Sequence, residues 1–186
     1  MAIRWCTFDC YGTLIDWEGG ITGALLPYFE TPPDRDALAK EYIETEAKVE
    51  GGRYLRYRDI LDQAGRALLR AHGIERPSPL PASLPGWLAF PEVPAALRAL
   101  QTTGRRIAIL SNVDRDLIAT SIPKLGITPD LVVTAEDVGT HVADMAQVFS
   151  RTRFTTCIPP ASSKNRSATT YVSLGMPPSS FAPRPR

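Results

Sequence analysis

"FDCYGTLIDWEGG", Phe8 to Gly20, is the stretch on which the reading of this chain turns. The residues leading into it, "IRWCTF", are apolar and β-prone and read as a short buried strand, so Asp9 falls at that strand's C-terminal end. "YGT" follows as a tight turn that needs the backbone freedom of Gly12. A carboxylate held there can attack an electrophile and leave an ester or acyl-phosphate on the protein. Aspartate is also a common turn former, so the assignment needs a second element.

That element is "IAILSN". Arg106 to Leu110 reads as a strand that runs into Ser111 and Asn112, and a helix capped by Asp114 opens shortly afterwards. A hydroxyl, an amide and the free N–H groups of a helix start can together hold an anion, although a plain turn and cap would look the same. "PEVPAALRALQTTG" is a helix before this strand, "VDRDLIATSIPKLGI" a helix after it, and "PDLVVTAEDVG" a further short strand followed by an acidic loop. This alternation predicts an α/β fold: a Rossmann-like parallel sheet with helices on both faces and chemistry at the strands' C-terminal ends.

Between the two elements the pattern is helical. "TPPDRDALAKEYIETEAKVEGG" opens with prolines and a capping Asp34 and closes at Gly51 and Gly52. In "YLRYRDILDQAGRALLRAHG" the residues Tyr57, Ile60, Leu61, Ala64, Leu68 and Ala71 make one apolar helix face, with most arginines opposite and Gly73 as the stop. "ERPSPLPASLPGWLAFPEVP" reads as a proline-rich connector back to the main domain. The expected organisation is a core of residues 1–19 and 86–150, an inserted α-helical cap of residues 20–85, and a tail of residues 151–186.

The bulk composition excludes several classes of function. A net charge of +1 and 44% apolar residues give no global pull toward nucleic acid or a membrane. No run of about 18 apolar residues exists, and Asp9 interrupts the N-terminal apolar stretch as no signal peptide would, so a cytoplasmic location is expected. Cys6, Cys10 and Cys157 lack metal-ligand spacing and cannot all pair, which fits a reducing compartment. Cys10 beside Asp9 reads as a loop-wall residue in preference to a nucleophile, because no His is near it in sequence. Residues 1–150 hold all 20 acids and 15 of the 21 Lys and Arg, whereas residues 151–186 hold six Lys and Arg, six Pro, six Ser, five Thr and no acid. The tail therefore reads as disordered or as translated out of frame.

"FDCYGTLID", the helical insertion after it, "IAILSN" and "VVTAEDVG", in that order, resemble the haloacid dehalogenase superfamily of Rossmann-like hydrolases, and within it the type II 2-haloacid dehalogenases. The resemblance covers roughly residues 3 to 140. It implies that Asp9 is the nucleophile and that Thr13, with the backbone around Cys10 and Tyr11, shapes its pocket. It implies also that Ser111 and Asn112 hold the carboxylate of a small anionic substrate. In the superfamily's phosphatases the second residue after the nucleophile is an acid that protonates the leaving alkoxide. A halide needs no proton, so Tyr11 suits halide displacement through an aspartyl ester and speaks against phosphate esters. No cofactor is expected for that chemistry; the alternative, a phosphatase of a small phosphorylated metabolite, would use Mg²⁺.

The chain departs from the family after "AEDVG". Relatives continue with an aromatic and then Lys-Pro, the lysine compensating the nucleophile's charge, where this chain has His141, Val142 and Ala143. The fourth motif, whose acidic and polar residues position the hydrolytic water, has no counterpart in the tail. Asp137, Asp144 and His141 read as loop residues. Arg35, Arg53, Arg56 and Arg58 are candidates for the cap arginine that receives the halide, and none is assigned. The expectation is an incomplete sheet, an exposed edge on the Asp9 strand that invites homodimerisation or aggregation, and loss of turnover, as in a truncated or frame-shifted relative.

Overall fold

The computed structural model describes residues 5–51, 54–138, 154–155 and 172–173. The chain divides into two compact units, one of residues Met1–Ile15 and Ala89–Arg186, the other of Asp16–Leu88.

The first unit is built on a parallel ladder in the order β1-β2-β3, with β1 at Trp5–Asp9, β2 at Arg106–Ser111 and β3 at Leu131–Thr134. Asp9 is paired with Leu110, and Ser111 with Thr134, so these residues share the C-terminal edge of the sheet. The unbroken apolar run of β2 is what a strand covered on both faces needs, and Ile107 and Ile109 are fully buried. Helix α5, Val93–Thr102, precedes β2 and buries Val93 and Leu97. Helix α6, Arg115–Ser121, follows β2, and a 3₁₀ turn over Ile122–Leu125 ends at Gly126. At the other end of the ladder Asp130 joins β2 and β3: its carboxylate accepts from the Ile107 N–H at 2.8 Å and its own N–H donates to the Ile107 carbonyl.

Two details differ from the sequence reading. The acids after β3 stand not in a loop but in a helical turn, α7, Ala135–Val138. Asp114 occupies the cap position of α6, yet its side chain makes no capping bond and is buried. The first α6 N–H, that of Arg115, donates to the Glu136 carboxylate at 2.8 Å. Among the described residues β1 has a ladder partner on one side only. A two-residue strand β5, Val172–Ser173, approaches β1 but pairs antiparallel with β4, Phe154–Thr155. The other positions of 139–186, with the readings placed on His141, Asp144 and the tail, lie outside the described residues.

The second unit is helical throughout. Helix α1, Trp17–Leu25, starts at Asp16, whose carboxylate accepts from the Gly19 N–H at 2.9 Å. That cap draws residues 16–19 out of the core and into this unit. Gly20 has no room for a side chain, because a Cβ there would meet the Trp87 indole. Helices α2, Arg35–Glu50, and α3, Tyr57–Ala71, form an antiparallel pair: Glu46 near the end of α2 meets Tyr57 at the start of α3, and Glu41 meets His72 just past its end. Asp34 caps α2 by accepting from the N–H groups of Asp36 and Ala37. The buried face of α3 is Tyr57, Ile60, Leu61, Ala64, Gly65, Leu68 and Leu69; Ala71, in the final turn, is exposed.

The proline-rich stretch is more than a connector. It forms a short helix α4, Leu80–Ser83, and a 3₁₀ turn, Leu84–Gly86, each with Pro in its first turn, where a missing N–H is harmless. Leu80 and Leu84 are fully buried. Ser78 fits where Gly65 lacks a side chain and donates to the Leu61 carbonyl at 3.0 Å.

Candidate active site

The residues after Asp9 close on themselves. The Leu14 and Ile15 N–H groups both donate to the Cys10 carbonyl, at 2.8 and 2.9 Å, and the Gly12 N–H donates to the Ile15 carbonyl at 2.9 Å. Gly12 takes φ of 85°, a conformation costly for any residue with a Cβ. Cys10 and Ile15 have no exposed surface and Leu14 is buried, so apolar side chains anchor the loop from below. Asp9 is held at a fixed strand end instead of on a mobile turn.

Its carboxylate is half-buried and accepts from Thr13 Oγ1 at 3.4 Å. Register and pleat place Asp9 on the sheet face that carries Leu110 and Val133, both buried and apolar. Burial raises its pKa from 3.8 to about 6, against the pull of the Cys10 N–H and the Thr13 hydroxyl. No cation figures among these influences on Asp9 within the described residues.

The neighbours divide into those that can touch a substrate and those that hold the loop. Ser111 and Asn112 stand at the adjacent strand end, Ser111 buried and Asn112 half-buried. The Cys10 thiol is fully enclosed, and burial with the Asp9 charge pushes its pKa far up, so it is neither a nucleophile nor a lining group. Its contribution is the N–H that reaches Asp9. Tyr11 lies partly buried with its hydroxyl sharing a 2.8 Å hydrogen bond with Ser121 Oγ. Burial raises the phenol pKa despite that bond, so Tyr11 stays neutral.

Of the N–H groups anticipated at the start of α6, that of Arg115 is taken by Glu136. Asp137 is occupied too. It accepts from the Thr134 N–H and hydroxyl at 2.8 Å each and pairs with the Arg115 guanidinium. Burial pushes its carboxyl up, but these donors outweigh burial and hold it below the usual range. Thr134 and Ser121 are buried polar residues of this region that the sequence did not single out. The 2.8 Å bond from Tyr11 joins residues far apart in the chain, and no local pattern signals it.

No family model matches the chain. No curated protein sequence matches it either. Solved structures do. A dehalogenase superposes with a TM-score of 0.68 over 81% of this chain and 71% of its own, at 22% identity. The L-2-haloacid dehalogenase of Xanthobacter autotrophicus gives 0.63 over 80% of this chain and 64% of its own, at 20% identity.

This is the haloacid dehalogenase fold.

A HAD-hydrolase of Bacillus subtilis, solved with magnesium bound, shares the fold at a TM-score of 0.62 and 19% identity. In this chain the described residues do not fit such an ion at Asp9. Position 11 is a phenol tied to Ser121, Asp137 is taken by Thr134 and Arg115, and no three His, Cys, Asp or Glu side chains gather among the described residues. Of the arginines considered for a halide, Arg35, Arg56 and Arg58 are exposed and Arg53 lies outside the described residues.

Proposed function

We propose that the chain is a hydrolase of the haloacid dehalogenase kind that acts on a short 2-haloacid through an ester on Asp9. The observation that carries this reading is Tyr11. Two residues past the nucleophile, where phosphate-ester chemistry needs a proton donor, stands a neutral phenol held by Ser121 at 2.8 Å. In the proposed step a carboxylate oxygen of Asp9 bonds to C2 of the haloacid, and the carbon–halogen bond breaks with its electron pair leaving on the halide. Ser111 and Asn112, at the neighbouring strand end, hold the substrate carboxylate. Water then cleaves the ester at the Asp9 side-chain carbonyl, releasing the 2-hydroxyacid and one proton and restoring the carboxylate.

The partial burial of Asp9 favours the first step, since a carboxylate with few water contacts is a stronger nucleophile. Among the described residues nothing activates the water of the second step, so ester formation is the better-equipped half of the reaction. Incubation with 2-chloropropionate without metal is expected to release chloride, at a rate that rises with pH through about 6 as Asp9 ionises. Chloride release that persists in Asp9→Asn, or phosphate release from small phosphoesters on addition of Mg²⁺, would overturn the reading.

A further inference from the structure

Ser121 is the last residue of α6 and has no exposed surface. Its hydroxyl meets Tyr11, and α6 itself begins just after Ser111 and Asn112. One hydrogen bond therefore joins the loop that carries Asp9 to the helix that continues from the neighbouring strand end. Lys124, in the turn after α6, is near enough for its charge to act on the Cys10 thiol, while burial lowers the lysine's own pKa. A neutral phenol in this place is a strut and not an acid or base.

We propose that Ser121 is a positioning residue for Asp9: by holding the Tyr11 hydroxyl it fixes the nucleophile loop and keeps water from the carboxylate. The proposal rests on Asp9 being the nucleophile. Burial is the largest influence on Asp9, so a Tyr11 ring released from Ser121 admits water, lets the carboxylate ionise more easily and loosens its line of attack. A bond that served only the packing of α6 would leave the titration of Asp9 where it is.

The test uses the full chain as wild type, Ser121→Ala, Ser121→Thr and Tyr11→Phe. The titration of the Asp9 carboxyl is followed by carbon NMR, its signal assigned with Asp9→Asn, and ester formation with 2-chloropropionate is followed by mass spectrometry. In Ser121→Ala and Tyr11→Phe the Asp9 midpoint is expected to drop from about 6 toward 3.8. Ester formation is expected to slow on the order of tenfold in both. Ser121→Thr keeps the hydroxyl and is expected to restore both readouts. An Asp9 midpoint unchanged in both Ser121→Ala and Tyr11→Phe overturns the proposal; should Ser121→Ala fail to fold, Tyr11→Phe decides alone. If wild type forms no ester while the midpoint still drops in the variants, Ser121 positions Asp9 as proposed and the dehalogenase reading is what fails.

Discussion

Among the described residues each unit holds one carboxyl that burial has pushed well above its ordinary range, and the two are built for opposite ends. Asp9 titrates near 6 and Glu46 near 7. Asp9 stands at a strand end with one loose side-chain donor, Thr13 at 3.4 Å. Glu46 accepts from two phenols, Tyr57 at 3.2 Å and Tyr42 at 3.3 Å, and Tyr57 in turn accepts from the Trp17 indole at 2.7 Å. That relay ties α1, α2 and α3 together. A raised pKa alone does not mark a reactive group. What separates the two acids is their partners: one Glu46 oxygen, Oε1, takes both phenols and is built into the helix packing, while Asp9 has from the described side chains only the long bond of Thr13.

Exchanging each acid for its amide gives the largest contrast. Asp9→Asn is expected to lower ester formation with 2-chloropropionate by on the order of a thousandfold or more, because the amide is a far poorer nucleophile. Glu46→Gln is expected to leave that rate unchanged. A comparable loss in both variants would erase the distinction.

The second contrast lies in stability against pH. The Glu46 pKa rises on folding from 4.5 to about 7, through burial first and then the nearby Glu50 charge, with Tyr57 and Tyr42 pulling it down. A group of this kind lends stability that is fully present below pH 4.5 and lost as pH rises through about 7. The shift corresponds to roughly 3 kcal/mol at most. Urea midpoints are therefore expected to fall between pH 5 and 8, and Glu46→Gln, which cannot ionise, is expected to flatten the fall. A profile as steep in Glu46→Gln as in wild type would assign the slope elsewhere.

The fold was largely legible in the sequence because its signals are local. The stripe of α3, the capping Asp34, the glycine stops and the apolar run of β2 each follow from neighbours within a turn or two. The end of β1 and the pairing of Asp9 beside the "LSN" strand end could be anticipated in the same way. What escaped was tertiary. Leu80 and Leu84 lie in a stretch whose prolines read as breaks, yet proline at a helix start is no break. Asp114 makes no side-chain cap, and it is Glu136, from a distant segment, that meets the start of α6 through the Arg115 N–H. The Tyr11–Ser121 bond and the Glu46 relay depend on packing between distant segments, and no periodicity encodes them.

The smallest effects concern the donors themselves. Thr13→Ala removes the 3.4 Å bond to Asp9 and is expected to move its titration up from about 6 by a fraction of a unit. Tyr57→Phe removes one of the two phenols on Glu46 and is expected to raise that group above about 7 by more, since its 3.2 Å bond is the shorter. A pH–rate profile reads the first and an NMR titration the second. A downward shift in either would reverse the assigned role of the donor.

The central claim is that Asp9 is the nucleophile, and it is tested most directly by mapping the adduct. Protein incubated with 2-chloropropionate in the absence of metal, quenched early and digested, is expected to carry one propionate ester on the peptide containing Asp9, with ester and chloride appearing in equal amounts at first. Chloride released while Asp9 stays unmodified at every time, or an adduct on Cys10 or another side chain, would contradict the account.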